Sequence, residues 1–320
     1  MNIHELPMII FTVVAQMSVG AFWALGAIQL LGRYRKISVA AIDRITDVAM
    51  YAVGPLLVAG FFAAFFHLND PFHAIFTMNN IFSSWLSREL FAGVLFGGFG
   101  AAFAISQWFN WFTRGLREIL AILTALSGLF LLVSMSGVYY STITIPAWNN
   151  FTVPVFFFAS TLLTGPLAVA LALLVVWTRD PLGKIRKDKA EAFNEDLISL
   201  LRSALQGLTA VATAAGVVIF ITYPMYLLTL VHGGPAAEHV ASEISFSFLL
   251  WRLLLLGVAV VISGVFAFNQ ARMSAIPNRI LIAVIVAAFV LAVISEFMGR
   301  SIHYDGLWRA GLNTWQTITG

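Results

Sequence analysis

Long apolar segments constrain this chain more than any other feature of its sequence. Each is long enough for an α-helix to cross the roughly 30 Å hydrocarbon core of a bilayer. There are eight, at about residues 7–31, 42–66, 90–109, 119–138, 154–177, 201–231, 246–268 and 280–298. Only 10% of the 320 residues are charged, whereas soluble domains carry about a quarter. The sequence therefore predicts an all-α, polytopic membrane protein with eight transmembrane helices in a single domain, residues 1–320.

Basic residues predict the orientation of these helices, because cytoplasmic loops hold an excess of Lys and Arg. Most of the 18 basic residues follow the odd-numbered segments, which places both termini on the periplasmic side. The first segment is expected to stay in the membrane, because no basic region of a signal peptide precedes it. The cytoplasmic loop at about 178–200 is interpreted as either a short amphipathic surface helix or a linker that extends the sixth segment. Within that segment, Pro224 is expected to kink or end the helix.

The residues suited to redox cofactors are few. With no cysteine, the chain cannot ligate a conventional iron–sulfur cluster or a thiolate-bound haem. The six histidines all map to the outer side or its interface, which disfavours a bis-histidine haem. They are His4, His67, His73, His232, His239 and His303. A metal site in the loop of His232 and His239 is less favoured than a solvated loop, so no metal is expected. The net charge of +3 is too small to indicate nucleic-acid binding.

Polar residues inside the apolar segments are functional candidates, since ionisable groups are costly in the membrane. Those identified here are His67, Glu89, Arg252, Glu296, Arg300 and Gln16. Glu296 and Arg300 are four residues apart, so a local salt bridge on one helix face is an equal alternative. Arg88 is interpreted as a side chain that extends to the lipid headgroups.

His67 and Glu89 stand at the outer ends of the second and third segments. Oxidation of a quinol requires a proton acceptor at each hydroxyl, and imidazole and a partly buried carboxylate can both serve. These two residues are therefore the first candidates for a quinol site that opens sideways to the bilayer. Two ordinary interface residues are the alternative, and spacing alone favours that alternative.

Several stretches, in order along the chain, resemble the membrane anchor subunit of bacterial dimethyl sulfoxide (DMSO) reductase. They are "HELPMIIFTVVAQ", "HLNDP", "LSREL", "VYYSTITIPAW" with "TGPL", "WRLLLLGVAV" and "EFMGRSIHYDGL". The family has a glycine where Asn69 stands, and asparagine also tolerates positive φ. The resemblance covers nearly the whole chain.

This resemblance implies a bacterial inner-membrane anchor that binds and oxidises menaquinol and has no haem or iron–sulfur cluster of its own. Its partners would be an iron–sulfur subunit and a molybdopterin catalytic subunit. His67 and Glu89 match the family's quinol-binding histidine and glutamate, whereas Glu296, Arg300, Arg252 and Gln16 rank second. The alternatives are an anchor for a selenate, polysulfide or tetrathionate reductase, a purely structural anchor, or a secondary transporter.

Overall fold

A computed structural model describes residues 5–39, several positions between 42 and 60, 71–179, 195–273 and 278–310. All regular structure in these ranges is helical. The helices are α1 (Leu6–Tyr34), α2 (Trp85–Phe109), α3 (Arg114–Tyr140), α4 (Thr152–Arg179), α5 (Glu195–Val231), the short α6 (Pro235–Glu243), α7 (Phe246–Met273) and α8 (Arg279–Asp305), and a 3-10 segment (Pro71–Asn80) precedes α2. A π-helical stretch, Ile262–Ala267, lies within α7.

Seven of these helices are long and apolar enough to cross a membrane. They correspond to seven of the eight predicted segments. The other, at residues 42–66, lies largely outside the described residues, as does most of the loop at 178–200, so eight spans and the periplasmic termini stay predictions. Glu195 to Leu200 belong to α5, which agrees with the interpretation of this part as an extension of the sixth segment.

Of the two outcomes expected at Pro224, the end of the helix is not observed, since α5 continues to Val231. Two other local expectations need correction. The segment expected to be a solvated loop contains α6, whose Ala236, Ala237 and Val240 are buried. The last span does not stop at residue 298 but runs to Asp305, which brings further polar residues into the bundle.

The helix ends follow from short polar side chains that satisfy free backbone groups. Ser84, Thr113 and Asn278 each accept a hydrogen bond from a backbone N–H of the first turn, in α2, α3 and α8 respectively. Such N-caps typically stabilise a helix by about 1 kcal/mol. Asn110 closes α2 in the left-handed conformation, with φ of 55°, which asparagine tolerates better than most residues.

Helix α1 lies at the centre of the bundle, packed against α4, α3 and α8. The crossing with α4 is close because glycines meet there: a Cβ on Gly20 would overlap the carbonyl oxygen of Thr161, and one on Gly165 would overlap the backbone of Gly20. Small residues let membrane helices approach in this way, so that van der Waals packing replaces the missing hydrophobic driving force.

The bundle has two ends with different character. At the first, which we call the Glu89 end, the N-terminal halves of α1, α2, α4 and α7 meet the C-terminal halves of α3, α5 and α8 around buried aromatic residues. At the second, which we call the Arg33 end, the opposite halves pack around aliphatic residues. Four buried charged residues lie at the Glu89 end, whereas the buried Asp47 accepts a hydrogen bond from Gln107 near the Arg33 end.

Candidate functional site

Four charged side chains are buried at the Glu89 end. Glu89, Arg252, Glu296 and Arg300 are each exposed by 5% or less, and Gln16 is fully buried among them. Charged groups within a membrane are costly unless they are paired. Since five polar residues from α1, α2, α7 and α8 occupy one end of the bundle, this cluster is the candidate functional site.

Glu296 pairs with Arg252 of the neighbouring helix α7. Its Oε1 lies 3.7 Å from Arg252 Nη2, which is ion-pair distance but too long for a hydrogen bond. The Arg252 guanidinium also lies 4.2 Å from the ring centre of Tyr223. Gly299 allows this arrangement, because a Cβ there would come within 2.6 Å of Arg252 Nε. Within the described part of the chain, the ion pair of Glu296 is therefore between helices, and the expected local pair with Arg300 is not formed.

Arg300 connects α8 to α1 and α4. Its Nη2 donates a hydrogen bond of 2.9 Å to Oε1 of Gln16, 284 residues away in the sequence. The guanidinium also lies 3.8 Å from the ring centre of Phe157, a cation–π contact that is stronger where water is excluded. Gln16 is thus the hydrogen-bond partner that makes a buried arginine tolerable at this position.

A pair of tyrosines belongs to the same end of the bundle. The hydroxyls of Tyr139 and Tyr304 are 2.7 Å apart, and both side chains are buried. Both lie close enough to Glu89 and to Arg300 to interact with them electrostatically.

His303 is enclosed by aromatic rings near the end of α8. Its ring stacks on Trp148 at 5.7 Å and meets Tyr139 edge-on at 4.7 Å. The Trp148 indole donates to the His303 carbonyl over 2.8 Å, and Nε2 of His303 is buried without a hydrogen-bond partner. The expectation that this histidine lies on the outer side or at its interface stays a prediction, while α8 places its ring among the aromatic residues of the cluster.

A cavity of about 30 Å³ lies beside these groups, lined among others by Tyr223, Arg252, Glu296, Arg300 and His303. This volume can hold one or two water molecules but not a quinone ring. Nε and Nη1 of Arg252 lack a protein hydrogen-bond partner. The cavity can therefore hold water that accepts hydrogen bonds from the Arg252 guanidinium.

The remaining candidates are placed as follows. His67 and His4 lie outside the described residues, so the approach of His67 to Glu89 stays a prediction. Arg88 bonds the carbonyl oxygens of Ile81 and Phe82, which ties it to the turn before α2. In the described ranges, no group of three or more His, Asp or Glu is arranged to hold a metal ion.

The sequence analysis missed Tyr139, Tyr304 and the position of His303. Part of the signal was present, because residues 296, 300, 303 and 304 recur at the spacing of one helix face. Tyr139 follows no such pattern and could be recognised only from the packed structure.

Comparison with known proteins agrees with the resemblance seen in the sequence. The family profile described as DMSO reductase anchor subunit (DmsC) matches residues 1–307. The C subunit of the anaerobic dimethyl sulfoxide reductase of Escherichia coli is 25% identical over 94% of both proteins. The C subunit of the Haemophilus influenzae enzyme is 32% identical over 54% of this protein and 60% of its own length. The YnfH subunit of an Escherichia coli anaerobic dimethyl sulfoxide reductase is 31% identical over 53% of this protein and 58% of its own length.

Proposed function

Because the chain belongs to the DMSO reductase anchor subunit family, we propose that it binds menaquinol at the Glu89 end and oxidises it. The electrons would pass to the iron–sulfur subunit of a DMSO reductase complex in the bacterial inner membrane, and from there to a molybdopterin subunit. The observation that carries this proposal is the buried carboxylate of Glu89 at the mouth of α2, exposed by only 5%. A carboxylate in that position has a functional role by default, since its burial is costly.

Each of the two protons that a quinol releases needs an acceptor. A quinol releases two protons and two electrons as its two O–H bonds break and the quinone forms. In the proposal, Glu89 accepts the proton of one hydroxyl and the imidazole of His67 accepts the other. The electrons leave to the clusters of the partner subunit, since this chain has no cysteine to hold such clusters.

Arg300 and the tyrosine pair act on Glu89 through their charge and dipoles in this proposal and do not touch the quinol. Arg300 is held on two sides, by Gln16 and by Phe157, and both tyrosines interact electrostatically with Glu89 and with Arg300.

Substitution of Glu89 by Gln tests the proposal, because the side chain keeps its shape but can no longer accept a proton. Quinol-dependent reduction of DMSO by the membrane complex should fall about a hundredfold. Reduction driven by an artificial dye, which bypasses the quinol site, should be unchanged. Replacing His67 by Ala should give the same separation of the two activities.

A matched control is Glu238→Gln, which alters an exposed carboxylate of α6 and should leave both activities intact. Loss of both activities in E89Q, or of neither, would contradict the assignment. Binding of a quinone analogue by the complex separates this function from that of a purely structural anchor.

A further inference from the structure

A second, larger cavity lies at the Arg33 end, between α1, α3 and the segment around Thr46 and Met50. Its volume is about 410 Å³, within the range of about 300–1,000 Å³ typical of small-molecule sites. It lies at the opposite end of α1 from the cluster around Gln16. Neither Glu89 nor any other member of that cluster lines it.

Two contacts between α1 and α3 bound this cavity. At one limit the Trp23 indole donates to the Ala125 carbonyl over 3.1 Å, and at the other Arg33 pairs with Glu118 at 2.8 Å. Ala125 and Glu118 are seven residues apart on α3, so the slot is about 10 Å long.

The slot opens sideways. Ala27 and Leu30 of α1 and Ile122 of α3 line it and are exposed on the outer surface of the apolar spans, where lipid is expected. A ligand dissolved in the bilayer could therefore enter without crossing the headgroup region.

The lining suits a flat head that carries a hydrogen-bond acceptor. Phe22, Trp23 and Phe103 supply aromatic surface, on which a planar ring can stack. The polar groups are a Gln29 amide, 3.3 Å from the Thr46 hydroxyl, and the Arg33–Glu118 pair. Glu118 pairs with both Arg33 at 2.8 Å and Arg114 at 3.0 Å. Of these two arginines only Arg33 lines the cavity, and its guanidinium and the Gln29 amide can donate to a carbonyl oxygen.

We propose that this cavity is a second quinone site, which binds the ring of an isoprenoid quinone between α1 and α3 while its tail stays in the bilayer. The choice of a quinone over other flat lipids rests on the proposed function. The geometry of the slot does not depend on it.

Gly26 provides a sharp test, because it lines the cavity and a Cβ there would meet nothing within 4 Å. The probe is a photoreactive azidonaphthoquinone, crosslinked to the intact membrane complex and mapped by peptide mass spectrometry. We expect labelled peptides from residues 22–33 and 118–125. Gly26→Phe should fill the slot and reduce this labelling to background.

The matched control is Gly97→Phe in α2, at another helical glycine whose Cβ would be free and which lines none of the cavities described here. It should be labelled like the natural protein. Gln29→Leu, which keeps the volume and removes the amide, should weaken labelling between threefold and tenfold, the usual effect of about one lost hydrogen bond. Gln29→Leu keeps the proposal testable if the G26F variant does not insert into the membrane.

The outcomes separate this proposal from the function proposed above. Labelling only in residues 71–90, equal labelling of G26F and G97F, or a phospholipid retained in the slot in place of the probe would each overturn it. Glu89→Gln should leave labelling of the slot intact. If E89Q kept full quinol-dependent activity while G26F lost the label, the proposed role of Glu89 in quinol oxidation would be refuted and the second quinone site would be supported.

Discussion

The buried ion pair between α7 and α8 predicts a large effect of Glu296→Gln, a change that keeps the shape and removes the charge. Arg252 Nη2 lies 3.7 Å from Glu296 Oε1, and both side chains are exposed by 5% or less. At the effective dielectric of about 20 that suits protein sites, their attraction is about 4 kcal/mol. Breaking a buried pair on one side typically costs about 3–5 kcal/mol, because the remaining charge is left unpaired.

We therefore expect E296Q to lower the free energy of unfolding by about 3 kcal/mol or more. The measurement is the midpoint of unfolding as SDS is added to detergent micelles. Adding Arg252→Met to E296Q should restore part of the loss, because it removes the guanidinium that E296Q leaves without its ion-pair partner. The exposed pair between Arg33 and Glu118, each 40% exposed, gives the control: E118Q should cost less than about 1 kcal/mol. Equal losses for E296Q and E118Q, or a double variant as unstable as the sum of both single changes, would refute the reasoning.

Two further predictions use the same unfolding assay. Gly165→Ala should destabilise the bundle by about 1–3 kcal/mol or prevent its assembly, because the added methyl overlaps the backbone of Gly20. The control, Gly97→Ala, changes a glycine whose Cβ would meet no neighbour and should cost less. Equal effects of the two variants would contradict the close crossing of α1 and α4. Tyr304→Phe should cost about 1–3 kcal/mol, because it leaves the Tyr139 hydroxyl buried without its partner at 2.7 Å. A second change, Tyr139→Phe, should then add little or restore stability, and simple additivity would speak against a paired role.

Hydropathy and charge were sufficient to predict most of the architecture, because the bilayer restricts what an apolar chain can do. The predicted end of the last span shows the limit of this approach. The apolar segment was placed at about residues 280–298, with Arg300 at the close of the same helix. The helix continues to Asp305 because Gln16 and Phe157 compensate for that charge, and neither contact can be recognised in a local window of sequence.

The same limit of sequence-based prediction applies to the candidate site. Polar residues inside apolar segments could be recognised one at a time, and four of those in the cluster were ranked second on that basis. The partners of these residues could not be recognised from the sequence, because the contact between Gln16 and Arg300 joins positions 284 residues apart. Spacing along α8 suggested a pair of Glu296 with Arg300, whereas the packing of α7 supplied Arg252.

The hydrogen bond between Gln16 and Arg300 also has a consequence for biosynthesis. A ribosome that adds about 5–20 residues per second needs roughly 15–60 s to travel the 284 residues between them. During that interval the side-chain oxygen of Gln16 lacks the arginine from which it accepts a hydrogen bond in the folded bundle. The contact between α1 and α8 can therefore form only after the last span has been made. A chain released before that point would expose the surface of α1 that α8 covers in the folded bundle, and proteases of the quality-control system could recognise it.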